Sequence, residues 1–189
     1  MKINLKKEKQ EKKPKHRVLD DFQQNAAGEY VYVGKMHRYC SEIIERPRAM
    51  RALLLIDLII VGTMLGCGMV KAAGILHAMS VLLPYAVCIM MSGVLLYKLL
   101  EMWHGHDPMR DYTYKATVMW YDILLWVEAI ASVIMFICEI RFIILYGFEG
   151  YVGGTILFLV CNVLDIVMSF IGIRFFKALK WEEVSAEKI

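Results

Sequence analysis

The sequence predicts an all-α integral membrane protein, a four-helix transmembrane bundle preceded by a basic cytoplasmic N-terminal arm. Three observations carry that expectation. Four stretches, about 52–70, 75–96, 116–138 and 151–173, are long and apolar, and a helix needs about 20 such residues to cross a bilayer core. Polar residues inside them are isolated, so helices that satisfy their own backbone are the expected spanning form. Finally, 20 of the 22 Lys and Arg residues fall on one side of the membrane these stretches imply.

The basic residues set the orientation. Residues 1–51 hold 13 of them; Lys98, Arg110 and Lys115 lie between spans two and three; and Arg174, Lys177, Lys180 and Lys188 lie in the tail. The two remaining loops contain only Lys71 and Arg141. With an even number of spans, both termini are expected in the cytoplasm and the chain in the plasma membrane. Tyr97, Trp103, Trp120, Tyr121 and Trp181 fall at the inner interface, where an aromatic belt belongs. The first 50 residues lack an apolar signal core, so span one is expected to act as an uncleaved anchor.

The chain divides into an arm (1–51), the bundle (52–173) and a short cytoplasmic tail (174–189). The arm opens with a Lys-rich stretch to about Arg17 that cannot bury a core. Lys6, Lys7, Lys9, Lys12, Lys13 and Lys15 are its candidate contacts with anionic lipid, each attracted by about 1 kcal/mol near a charged surface. The aromatic residues do not interleave with these charges, which argues against a nucleic-acid partner. Further on, Val18–Phe22 suggests a short helix and Glu29–Gly34 a strand. Ser41–Arg46 suggests a helix that Pro47 ends. Tyr30, Tyr32 and Tyr39 form the expected interaction surface of this segment, which is too small to fold alone.

The spans follow in order. Span one carries Gly62 and Gly66, a GxxxG spacing that lets helices approach closely. Lys71–Gly74 is a tight hairpin into span two, which holds His77, Pro84 and Tyr85. After the inner loop and span three, residues 139–150 either lie in the interface or extend span three. Gly150 and Gly154 form a second GxxxG as span four begins.

The chemistry rests on acids inside the spans. Asp57, Asp122, Glu128 and Asp165 have no Lys or Arg well inside any span to neutralise them. A central Asp costs roughly 2.5–3.5 kcal/mol on insertion scales, so such groups point to function. Glu128 and Asp165 are the deeper pair. Asn162, Asp165 and Ser169 recur at i, i+3 and i+7 and share one helix face. Two readings stay open: acids hydrogen-bonded separately as structure, or carboxyl groups that pass protons or hold a cation.

His104-Gly105-His106-Asp107 is the nearest approach to a metal spacing and reads as a loop before span three. The five cysteines form no CxxC pair. No phosphate-binding loop, nucleophile elbow, zinc-protease helix or dinucleotide fingerprint is present, so neither an enzyme nor a cofactor is expected. The leading expectation is a non-enzymatic membrane subunit, accessory or interaction component. The alternative is a proton- or cation-coupled transporter working through the intramembrane acids. Its expected partners are the lipid bilayer and either further copies of itself or another membrane protein.

Overall fold

The computed structural model describes residues 21–24, 28–42 and 44–185. The arm lysines from Lys6 to Lys15 and most of the 18–22 segment lie outside the described residues. Phe22, at the end of that segment, belongs to a strand rather than a helix.

Four helices are long and apolar enough to cross a membrane. The first is α1 (Arg46–Met69). A short α2 (Ala73–His77) then leads into α3 (Met79–His104). A turn of helix, α4 (Asp111–Tyr114), passes through a π-helical turn at Lys115–Met119 into α5 (Trp120–Tyr146), and α6 (Val152–Ala178) completes the bundle. Each long helix packs on two others, in the cyclic order α1, α3, α5, α6. Short links and cross-helix pairs such as Cys67 with Phe158 and Tyr121 with Phe176 make neighbours antiparallel.

The helices overrun the predicted spans mainly at the end that carries the basic residues. α1 begins at Arg46, six residues before its apolar run. Pro47 does not break it, because the first turn of a helix has no backbone acceptor for that N–H to lose. Glu45, in extended conformation, caps the helix through its carbonyl, which accepts from Arg48 and Ala49 N–H at 3.0 Å. The predicted second span is split at Ala78, whose extended backbone separates α2 from α3. At the far end α5 continues to Tyr146, so most of the 139–150 loop is helix.

A small sheet that the sequence reading missed closes the basic end of the bundle. β3 (Lys35–Tyr39) is its centre, antiparallel to β4 (Met109–Arg110) from the α3–α4 loop and to β5 (Trp181–Ser185) from the tail. A separate hairpin pairs β1 (Phe22–Gln24) with β2 (Tyr30–Tyr32). The arm segment, the inner loop and the tail therefore fold together. Arg46 locks the sheet end to the bundle by donating to the carbonyls of Met102 (3.0 Å) and Gly105 (2.7 Å) at the end of α3, where a cation also favours the helix dipole.

The three tyrosines do not form one surface. Tyr32 is 6 % exposed; its hydroxyl donates to Lys35 C=O and accepts from Asp111 N–H. Tyr39 donates to Ile44 C=O at 2.8 Å and packs edge-on against Trp181. Only Tyr30, 73 % exposed, faces outward. At the sheet edge Lys35 Nζ lies 2.8 Å from Glu183 Oε1, and this bond raises the lysine above its ordinary value. Its small contribution is thus present at neutral pH and lost as pH rises through that raised value.

The close helix approaches fall elsewhere than at the span-one GxxxG. A Cβ on Gly62 would meet nothing, and one on Gly66 would meet only Cys161 Sγ at 3.9 Å. Gly154 instead abuts the backbone of Lys71, where a Cβ would fall onto the carbonyl. Gly150, at φ 84°, serves a turn that other residues adopt poorly.

Candidate functional site

The bundle is apolar outside and encloses a set of polar residues within a largely apolar core. Leu55, Leu58, Leu65, Leu83, Met90, Ile130, Ile137, Val160 and Val167 are exposed on its flanks. Asp57, Glu128, Ser132, Glu139, Thr155, Asn162, Asp165 and Ser169 are buried. A protein folded in water does not leave apolar surface this extensive exposed along its helices.

Two apolar clusters fill the core. One, at the sheet end, contains Leu53, Leu99, Met102, Tyr121, Leu125 and Phe176. The other, at the far end, contains Met64, Cys67, Val81, Cys88, Met135 and Phe158. Between them runs a polar layer built by different helices. α1 contributes Asp57 and Thr63, α3 contributes Ser92, α5 contributes Glu128 and Ser132, and α6 contributes Asn162, Asp165 and Ser169. Asn162, Asp165 and Ser169 are all fully buried, so the face they share is the one turned inward.

Hydrogen bonds satisfy only part of this layer. Asp57 Oδ1 accepts from the Tyr121 hydroxyl at 2.8 Å, while its Oδ2 has no partner. Ser132 donates to Asp165 Oδ2, with Cys88 Sγ 3.5 Å from the same hydroxyl, and Asp165 Oδ1 is unbonded. Asn162, with its amide turned to suit its neighbours, donates to Ser132 C=O and accepts from Phe136 N–H, both at 3.2 Å. Glu128 has neither carboxyl oxygen bonded, and it lies within electrostatic reach of both Asp165 and Asp57. Among the described residues, no Lys, Arg or His is paired with any of these acids.

Asp122 stands apart. It is half-buried, and one enclosed oxygen has no hydrogen-bond partner among the described residues. Tyr121 takes the inward position on that turn, and one residue is about 100° of helix rotation. Tyr85 also serves elsewhere: its hydroxyl donates to Met64 C=O at 3.3 Å.

Glu139 escaped the sequence reading because the apolar window ends just before it. Within α5 it is fully buried: Oε1 accepts from Gly74 N–H at 3.2 Å, and Oε2 is unpartnered. The signal was the spacing of Glu128, Ser132, Met135 and Glu139, which keeps one helix face.

His104 Nδ1 donates to Leu100 C=O at 2.8 Å, and Asp107 accepts from Tyr39 N–H. Among the described residues no three His, Cys, Asp or Glu side chains are placed to hold one ion. The five cysteines are free thiols.

The Tyr121–Asp57 bond yields a prediction. Tyr121→Phe leaves Asp57 Oδ1 buried without its donor, which costs roughly 1–3 kcal/mol. Unfolding of the purified variant in detergent measures it, and a loss below about 0.5 kcal/mol would contradict the assigned bond.

Comparisons with protein-family models, with curated proteins and with solved structures each return no match. The class of protein therefore rests on the fold: four helices of spanning length that enclose a partly unsatisfied layer of acids.

Proposed function

We propose that this is a non-enzymatic multi-pass plasma-membrane protein, both ends cytoplasmic, that moves protons through Asp57, Glu128 and Asp165. Glu128 is the observation that carries the reading. An unpaired buried carboxylate is too costly to keep charged, so the group takes up a proton. A structural acid would spend its oxygens on donors, and Glu128 spends neither. Its neighbours Asp57 and Asp165 come from two other helices, and each has one buried oxygen without a hydrogen-bond partner among the described residues.

A proton suits this layer better than a larger cation. Successive single acceptors suffice for proton transfer, whereas binding a metal ion takes several oxygens around one point. The orientation is supported by the basic residues gathered at the sheet end, with Lys71 and Arg141 at the other. Four helices leave little room for a wide pathway, so the protein works as a homo-oligomer or beside another membrane protein.

A second reading, an accessory or interaction component, draws support from the exposed Tyr30, Val31 and Val33 at and beside the β2 strand. Reconstitution separates the two. Under an imposed membrane potential, vesicles holding the protein should change internal pH faster than protein-free vesicles. Equal rates would overturn the proton reading and favour the accessory one.

A further inference from the structure

The end of the bundle opposite the sheet holds titratable groups outside the acid layer. α2 lies over Glu139 and ends at His77, whose Nε2 is 3.3 Å from Glu149 Oε2. The Tyr151 ring lies beside that imidazole, with centroids 6.2 Å apart. His77, Ser80, Arg141, Tyr146 and Glu149 help line an open cleft of about 540 Å³. Glu139 does not line the cleft; it is buried under α2, beside the cleft residue Cys138 in sequence, and a Cβ on Gly74 would fall onto its carboxyl. Gly74 and Glu139 are thus fitted to each other, yet one Glu139 oxygen is left without a partner.

We propose that this cleft is the outer mouth of the proton path, with Glu139 as its inner acceptor and the His77–Glu149 pair as its exchange point with bulk water. The proposal rests on the proton reading above. Glu139 shares its helix face with Ser132 and Glu128, about 10 Å and 16 Å away along the axis. Those spans exceed one hydrogen bond, and buried Met135 lies between these groups, so the proposed path requires water to pass Met135 between Glu139 and the Ser132–Asp165 pair. Each step moves one proton between water and a carboxyl oxygen or ring nitrogen. No bond between heavy atoms changes and no redox partner is needed. Arg141, in the same cleft, keeps other cations away from the mouth while leaving proton transfer through water open.

The test compares proton flux in vesicles holding wild type, Glu139→Gln, His77→Gln, Glu149→Gln or Glu128→Gln. Glu139→Gln and His77→Gln should each slow flux by about a hundredfold, the lower end of what positioned acid–base groups contribute. External imidazole should restore much of the His77→Gln rate and none of the Glu139→Gln rate, because a mobile buffer replaces only a group that meets bulk water. Glu149→Gln, a surface change, guards against a folding defect and should slow flux without lowering the yield of folded protein. Wild-type rates in Glu139→Gln and His77→Gln while Glu128→Gln is inactive would overturn the mouth and leave the proton reading standing. Wild-type flux in Glu128→Gln would overturn both.

Discussion

Glu128→Gln is expected to reduce proton flux by about a hundredfold or more while leaving the bundle folded, which is the contribution typical of a positioned proton-transfer group. Glutamine keeps the length and shape of the side chain but cannot release a proton at any relevant pH. Because Glu128 makes no hydrogen bond to any described residue, the substitution breaks none of those, and stability should be unchanged or improved. A structural acid would show the opposite pattern, with lost stability. Glu128→Asp, one methylene shorter, should keep part of the flux. Asp165→Asn should be similarly inactive, and combining it with Glu128→Gln should add little, since steps in one relay are not additive. Flux in reconstituted vesicles, read beside thermal unfolding in detergent, checks both halves.

Gly154→Val should destabilise the bundle by about 3 kcal/mol or more, the upper end of the cost of overpacking. The first added carbon would meet the carbonyl oxygen and carbon of Lys71, and backbone, unlike a flexible side chain, cannot swing aside. Pushing α6 away also strains the neighbouring bond from Ala73 N–H to the Thr155 hydroxyl, 3.0 Å long and buried. Gly62→Ala is the control. Its Cβ meets nothing within 4 Å, so it should change stability by less than about 1 kcal/mol. Equal effects at the two glycines would show that the close approach lies elsewhere.

Much of the bundle was legible because it rests on signals local in sequence. Length and hydropathy mark a spanning helix whatever its neighbours. The 3.6-residue period puts Asn162, Asp165 and Ser169 on one face without reference to the rest of the fold. The convergence of Asp57, Glu128 and Asp165 was not legible, because it depends on how three helices are rotated against each other. Asp57 and Asp122 look equivalent in sequence, yet only Asp57 turns inward, against Tyr121. Glu139 was lost to a boundary: the acid itself ended the apolar window, although its side chain is fully buried.

The sheet was hidden for a different reason. Its strands are short and come from segments about 70 residues apart or more. Met109–Arg110 is too brief to show alternation, and Trp181–Ser185 carries two adjacent glutamates that look like solvated tail. The same pairing explains the tyrosines, since Tyr32 and Tyr39 read as free aromatics only while their partners Asp111, Ile44 and Trp181 are unknown. Pro47 was read as a helix stop because its position relative to the helix start, which decides its effect, was not visible.

On the proton reading, Glu128 holds a proton that exchanges with water although the side chain is fully buried. Infrared difference spectroscopy of the reconstituted protein, taken as H₂O is replaced by D₂O, observes this directly through the carboxylic acid C=O band. A band that shifts promptly on deuteration and is absent from Glu128→Gln is the expected result. A Glu128 band that stays unshifted, or the absence of any protonated carboxyl signal from this residue, would contradict it.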